Sequence, residues 1–349
     1  MPDIVGDGEM SFFSNLAHQI SANATDAPRR SSFVSVLHAE DVDEFVEKVR
    51  GYHLAFAQID KGPFVGVLVQ TELAGVLLSA AQWGRSLIHT GEPPSGKITF
   101  AVGMSGRPAR WQGHDLGLHD LRVLLTSGAE IDLVTQPGFG IATACFPLDL
   151  VKATADNLGL PPIAHGANSL VIPLERSKAN MLRALFNTTF RDAVAMPQGK
   201  RAANWSVTKQ EDLLGILLSC SANATSETKS ASNWERARVT KAAIAAINDR
   251  PGEILSIGDL CRIARASERT LDNAFMERFG LSPALYMKVQ RLNGARHDLS
   301  GEHEPSMNIA DVANKWGFWH LGQFARDYRS WFCELPSATY KRRHHTAAP

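Results

Sequence analysis

Between residues 31 and 146 the apolar positions come in short blocks rather than long stripes. Phe33–His38, Tyr52–Ile59, Gly66–Val69, Gly75–Leu78, Leu87–His89, Ile98–Val102, Leu121–Leu125 and Ile131–Val134 have the β-branched and aromatic content of strands, and a last run sets Phe139, Ile141, Thr143 and Cys145 on one face. Turn signals at Asp60-Lys61-Gly62, Gly91-Glu92-Pro93-Pro94, Ser127-Gly128 and Gln136-Pro137-Gly138 divide them. Intervals of about 8–15 residues are the rhythm of an antiparallel sandwich or barrel. One segment breaks it: Asp41–Arg50 places Val42, Phe45, Val46 and Val49 at helical spacing.

Beyond residue 147 the period changes. Leu148–Leu158, Glu175–Ala195 and Val207–Cys220 read as helices, the second with Met181, Leu182, Leu185, Phe186 and Phe190 on one side. Residues 222–232 are small and polar, the composition of a linker, with a helix extension as the alternative. Asn233–Ile247 is an amphipathic helix ending at Asn248-Asp249-Arg250-Pro251-Gly252, and five or six further helices follow it. At the other end, residues 1–30 are polar and predict a loosely ordered arm with a short helix over Met10–Ile20.

Composition sharpens this picture in one respect. Among 349 residues Lys+Arg and Asp+Glu both number 36, yet residues 236–349 hold 17 basic against 12 acidic side chains, leaving 19 against 24 for the rest. A basic carboxyl-terminal third is the candidate for phosphate contact. No run approaches the ~18 apolar residues of a membrane span. The opening MPDIVGDGEM lacks the basic-then-apolar pattern of a secretory signal. The four cysteines stand singly, with no Cys-x-x-Cys pair. A cytoplasmic protein without a disulfide framework or zinc ribbon is expected.

Within the basic third, Ser256 and Ser267 are good N-caps for two short helices, Leu260 and Ile263 line the first, and Leu271, Phe275 and Phe279 recur at a spacing of four on the second, which Gly280 stops. Two short helices, the tight Arg265-Ala266 turn and matching apolar faces describe a helix-turn-helix. It leaves Arg269, Thr270, Asp272 and Asn273 outward, side chains able to meet base edges. The pattern recurs: Ile309, Val312, Ala313 and Trp316 line one helix, Gly317-Phe318 turns, and Phe324, Tyr328 and Trp331/Phe332 line the next, with His320 at its cap and Gln323, Arg326 and Arg329 outside. Pro283–Leu299 spells one long helix between the units, a spacer that sets them on successive major-groove faces about one helical turn (~34 Å) apart. The closing Lys341-Arg342-Arg343 fits phosphate contact and a solvated tail equally.

These residues carry a resemblance. Ser267-Glu268-Arg269-Thr270-Leu271, Phe275, Phe279-Gly280-Leu281-Ser282-Pro283, Tyr286, Arg291-Leu292, Ala295-Arg296, Ile309-Ala310-Asp311-Val312-Ala313, Gly317-Phe318, Gln323-Phe324-Ala325-Arg326 and Leu335-Pro336 are similar to the DNA-binding domain of AraC/XylS-family transcriptional regulators. The resemblance covers about 233–343 and implies two helix-turn-helix subdomains around a linking helix. Cys333 stands where the family mostly shows Gly, and Trp319-His320 replaces small polar residues at the second cap, so the second unit is expected mainly to grip phosphates. In such proteins a cupin-like β-barrel often senses an effector and helices pair the protomers. The strands of 31–146 and helices of 147–221 follow the same order. The resemblance therefore implies an α+β chain: a β-rich, cupin-like barrel or sandwich with trailing helices for sensing and dimerisation (31–221), a linker (222–232), and an all-α domain of two helix-turn-helix units joined by a long helix (233–349).

The amino-terminal part offers less chemistry. Arg107, Arg110 and Trp111, set between glycines, could hold an anionic or nucleotide-like effector such as a nucleotide second messenger through charge-assisted and stacking contacts, and Trp83, Arg85 and His89 are further candidates. A hairpin with ordinary surface arginines explains the same residues. His53, His89, His114 and His119 lack metal-ligand spacing, and no Gly-x-Ser-x-Gly, His-Glu-x-x-His or strand-to-helix Gly-x-Gly-x-x-Gly occurs. No cofactor, no metal and no catalysis are expected. The expected function is a homodimeric, sequence-specific transcription regulator, an activator that meets duplex DNA and RNA polymerase and responds to a small effector. The alternatives are an amino-terminal domain that senses a protein partner and a cupin-type enzyme with an accessory DNA-binding module.

Overall fold

The computed structural model describes residues 34–112, 114–125, 130–161, 163, 169–195, 200–222, 231–250, 255–301 and 308–346. The expected arm with its Met10–Ile20 helix, the Ser127-Gly128 and Pro251-Gly252 turns and most of the expected linker lie outside these residues.

The described strands are β1 (Val34–Ala39), β2 (His53–Gln58), β3 (Gly66–Leu73), β4 (Val76–Trp83), β5 (Leu87–Glu92), β6 (Lys97–Ser105), β7 (Ala109–Trp111), β8 (His114–Leu116), β9 (Asp120–Leu124), β10 (Ile131–Val134), β11 (Gly140–Pro147) and β12 (Ser169–Pro173). They form two antiparallel sheets, ordered β1-β3-β4-β11-β6-β9-β12 and β2-β5-β10-β7-β8. Helix α1 (Val42–Lys48) follows β1, α2 (Leu148–Asn157) follows β11, and α3 (Arg176–Ala195) and α4 (Lys200–Ser221) follow β12. The β3–β4 hairpin places Leu73 opposite Val76 across Ala74 (φ 47°) and Gly75 (φ 84°). Both turn residues are left-handed, as a two-residue type I′ turn requires.

The seven-stranded sheet is buried on both faces. Val76, Leu78 and Ala80 of β4 join Phe100, Val102, Ala144 and Phe146 in a core covered by Val151 of α2, Leu182, Phe186 and Phe190 of α3, and Leu214 and Leu217 of α4. Ala81 and Trp83 point the other way, toward Leu87, Trp111, Leu133 and Phe139 between the sheets, with Phe45 of α1. Burial on two sides explains why β4 reads as an almost continuous apolar run.

Three expectations need correction. The stretch 147–221 is not wholly helical: Leu170 and Ile172 of β12 face the core at a sheet edge, and five residues are too few to stand out from a helical background. The Gly103–Gly113 segment contains β7 and runs into β8, with which β7 pairs, as in the hairpin alternative. Met181, assigned to the inner side of α3, is exposed, because the buried stripe runs through Ala179, Leu182, Phe186, Thr189, Phe190 and Ala193.

The carboxyl-terminal helices are α5 (Ala231–Asn248), α6 (Ile257–Ala264), α7 (Glu268–Phe279), α8 (Pro283–Ser300), α9 (Ile309–Lys315), α10 (Leu321–Phe332) and α11 (Pro336–Thr346). Helix α5 starts at Ala231, inside the expected linker. Val239 and Ala243 of α5, Leu260, Leu271 and Phe275 pack with Tyr286, Val289 and Leu292 of α8, and the same core continues into Val312, Phe324 and Tyr328. Gly294 of α8 lets the Trp316 ring lie against the helix, where a built Cβ would meet the ring at 2.1 Å. This core does not stop at the domain boundary. Ala57, Ile59, Ile88 and Val134, on the outer face of the five-stranded sheet, belong to it.

Candidate nucleic-acid interface

Local chemistry fixes the ends of the paired helices α6–α7 and α9–α10. Ser256 and Asp259 form a reciprocal capping box on α6, and Asn308 and Asp311 form one on α9. Ser267 Oγ accepts from the Thr270 amide, and Gly280, at φ 69°, ends α7. Helix α10 follows α7 residue for residue. His320 takes the place of Ser267, Phe324 of Leu271, Tyr328 of Phe275, Phe332 of Phe279 and Cys333 of Gly280, and each partner in a pair has the same role as N-cap, buried apolar residue or left-handed end. Cys333 holds φ 60° without being glycine, a conformation that costs an L-residue about 1–2 kcal/mol. Cys333→Gly is expected to raise stability by about 0.5–1 kcal/mol once glycine's larger unfolded freedom is set against that gain. A thermal midpoint that stays level or falls would refute it.

On the outer side of α7, Arg269, Asp272 and Asn273 are exposed. Thr270 is half-buried and its hydroxyl lies 2.8 Å from Ser267 Oγ, so it serves the cap rather than the outer face. On α10, Gln323, Arg326 and Arg329 are exposed, and Arg326 donates to Gln323 Oε1 at 2.9 Å. His320 occupies the N-cap but makes no side-chain cap bond, contrary to the role expected of it. Arg342 pairs with Glu334 at 2.6 Å, which engages part of the basic tail within its own domain, and the side chain of Arg343 lies outside the described ones.

Helix α8 also faces the sheets. Its Asn293 side chain accepts from the Gln58 amide at 2.9 Å and donates to the Gln58 carbonyl at 3.0 Å, the pair of bonds a neighbouring strand would make to the edge strand β2. Trp331 Nε1 donates to that carbonyl at 3.1 Å, and the Gly62 amide donates to the Trp331 carbonyl at 2.8 Å. Arg296, 3% exposed, donates to Asp41, the N-cap of α1, at 2.7 Å and lies 3.5 Å from Glu334. Burial raises the Asp41 pKa, but the Arg296 charge, its hydrogen bond and the amides of Asp43 and Glu44 hold it below the ordinary value. His297 meets Asp43 at 2.8 Å, and Arg278 pairs with Asp132. The bond to Asp43 raises the His297 pKa against the opposing effect of burial.

These contacts border a cavity of about 880 Å³ between the domains, lined by apolar side chains such as Val46, Leu54, Phe56 and Ile244 and by charged ones, among them Asp43, Glu47, Asp132 and Arg278. Arg291 lines it, half-buried, with its guanidinium 5.1 Å from the Phe318 ring centre and one long bond of 3.5 Å to the Gly317 carbonyl. Burial lowers its pKa. Among the described residues it has no carboxylate partner.

The six expected effector residues do not line this cavity. Trp83 is buried between the sheets and donates to Thr135 Oγ1 at 2.8 Å. His89 lies 3.0 Å from the same oxygen, and burial pushes its pKa down to about 3, so it is neutral at any physiological pH. Arg85 donates to the carbonyls of Pro63 and Lys61 and so holds the loop that meets Trp331. Trp111 is buried beneath Arg122, 4.0 Å away. Arg110 lies 3.6 Å from Asp115 and 3.4 Å from the Met276 carbonyl, while Arg107 is exposed. The fold uses the polar atoms of Trp83, Arg85 and His89 internally, whereas Trp111 Nε1 is buried without a hydrogen-bond partner and Arg107 is exposed. Arg291 drew attention only as part of the family pattern, because its place in the cavity depends on β2 and α1 packing opposite it. Among the described residues no cluster of three or more His, Cys, Asp or Glu could hold a metal ion.

Residues 260–342 match a family described as a helix-turn-helix domain. A XylDLEGF operon transcriptional activator of Pseudomonas putida is 35% identical over 97 residues, 28% of this chain and 29% of that one. The regulatory protein HrpB of Ralstonia nicotianae is 37% identical over 76 residues, 22% and 16% of the two chains. The matched region thus spans less than a third of either relative. A solved structure, the AraC-like transcriptional activator CuxR, aligns over 82% of this chain and 92% of its own at 16% identity and a TM-score of 0.35. The doubled, capped helix pairs around α8, the family match over 260–342 and the identity to the XylDLEGF operon activator make these residues a helix-turn-helix domain similar to that of the XylS-type activators.

Proposed function

We propose that this chain is a sequence-specific, DNA-binding transcription regulator whose two helix-turn-helix units enter successive major grooves. The observation that carries it is the repeat of α7 in α10 with caps, buried positions and left-handed ends in register, each helix leaving a polar ridge outside. Arg269 and Asn273 have the donors and acceptors to read guanine and adenine edges, and Arg326, Arg329 and Arg342 the charge to hold phosphates. Selection of duplexes from a random pool by the full chain tests this. Two enriched blocks about one helical turn apart are expected, and a pool without enrichment would falsify it.

The effector site that fits best is the interdomain cavity. Apolar side chains beside Arg291, a half-buried cation with no carboxylate partner among the described residues, suit a small organic anion, since Asp43 and Asp132 on the same lining are already held by His297 and Arg278, and occupancy there shifts how the DNA-binding helices sit against β2 and α1. A panel of small aromatic and aliphatic carboxylates should raise the thermal midpoint of the wild-type chain. Arg291→Met should abolish that rise while leaving the unliganded midpoint within about 1 °C, since a loss near 0.5 kcal/mol or less moves it little. An equal rise in both proteins would remove Arg291 from the site. The same proposal takes the chain to be a cytoplasmic homodimer, paired through the outer sides of α3 and α4 where Met181 and Val207 are exposed, and an activator that contacts RNA polymerase.

A further inference from the structure

The second reading helix begins with a feature the first lacks. Trp319 is 66% exposed, more than any other large apolar side chain among the described residues, and Leu321 two positions on is 47% exposed. Trp316, in contrast, is packed over Gly294 and donates to Asp298 at 2.7 Å. The exposed pair is therefore not a by-product of a loosely packed turn. In the α7–α10 register Gly322 falls where Arg269 stands, Arg326 where Asn273 stands and Trp319 where Ala266 stands. A Cβ built on Gly322 meets nothing within 4 Å, so the first turn of α10 is open to close approach. The charged side chains beside it, Arg326 and Arg329, are basic and exposed.

An apolar tip within a cationic surround, on a helix that repeats a reading helix, fits one feature of a duplex. The thymine C5-methyl is the apolar group on a base edge in the major groove. We infer that Trp319 and Leu321 read thymine methyl groups, and that Gly322 lets the helix come near enough for them to do so. The second unit then recognises sequence by apolar contact where the first uses hydrogen bonds. The inference rests on the chain binding duplex DNA as proposed above. A protein surface is the other occupant such a tip could have, but the arginines on the same helix favour a polyanion.

The test uses duplexes enriched by the full chain from a random pool, resynthesised with deoxyuridine for thymidine at one position at a time. Loss of a methyl that packs on Trp319 or Leu321 should weaken binding about fourfold per position, the change expected for one buried methylene-sized group. The effect should be confined to the block not read by Arg269. Trp319→Ala and Leu321→Ala should bind thymidine and deoxyuridine duplexes equally at those positions, with unchanged melting because both side chains are exposed. Trp319→Leu should keep part of the discrimination. Enriched sequences that show no uridine penalty, or a penalty unchanged in both alanine variants, overturn this inference alone. A pool in which nothing is enriched overturns DNA recognition itself and this inference with it.

Discussion

Arg296→Met is expected to destabilise the protein by about 3–5 kcal/mol, the largest single effect among the charged side chains described here. Arg296 is 3% exposed and donates to Asp41 at 2.7 Å, with Glu334 at 3.5 Å and the Phe332 ring at 4.7 Å. Methionine fills much of the same space but strands a mostly buried carboxylate. The cost comes from that orphaned charge, so adding Asp41→Asn, which keeps an N-cap acceptor for α1, should recover most of it. The pH dependence supplies a second check. In the wild type the Asp41 pKa is depressed below its ordinary 3.8. Its contribution is present above that value and lost as pH falls through the folded pKa. Without Arg296, burial is opposed only by the Asp43 and Glu44 amides and the Asp41 pKa rises above its wild-type value, so the variant gains relative stability as pH falls and the gap to wild type narrows. Urea unfolding at pH 7 and pH 4 measures both values. A penalty below about 1 kcal/mol at pH 7, or one that widens in acid, contradicts this account. Because Asp41 caps α1 and Arg296 sits on α8, loss of the pair should also undock the domains, visible as separate unfolding transitions.

Arg269→Ala is expected to cost about 1–3 kcal/mol on a selected duplex and to relax selection at one base position. Arg269 is exposed on the first turn of α7, and a bidentate guanine contact discriminates against the wrong base by that amount. Arg329→Ala, if it grips phosphate, should weaken all sequences alike and lower the salt slope by about one. Titrations on selected and random duplexes at two salt concentrations separate the two behaviours. Equal weakening of both duplexes by Arg269→Ala would show that it, too, only holds the backbone.

The helix-turn-helix units were legible because their signals are local. Ser256, Ser267 and Gly280 mark ends through bonds that span three or four residues, and Leu271, Phe275 and Phe279 repeat at helical spacing. Apart from β7 and β8, the strands from β1 to β11 were legible as short apolar, β-branched runs between turn signals, down to the four residues of β10. β7, β8 and β12 escaped because so few residues carried little pattern of their own, and their places are set by pairing, β7 with β10, β8 with β7 and β12 with β9.

The effector residues were the least legible part. Trp83, Arg85 and His89 look unusual in a sequence, but their polar atoms are used by Thr135, Pro63 and Lys61. Whether an arginine is spent on structure or left for a ligand depends on what lies across from it, and that is a property of packing.

By itself the sequence determined the class of the carboxyl-terminal domain, the order of sheet and helix, and the side chains α7 and α10 show to the outside. Those features follow from capping and periodicity, whose energies are decided within a turn or two of chain. Tertiary structure alone decided that β2 and α1 dock against α8, that Asp41 and Arg296 meet across 255 positions, and that a cavity opens between them with Arg291 on its wall. Such contacts join residues distant in the chain, so no local spacing encodes them, and they exist only because burying the outer face of the five-stranded sheet outweighs leaving it in water.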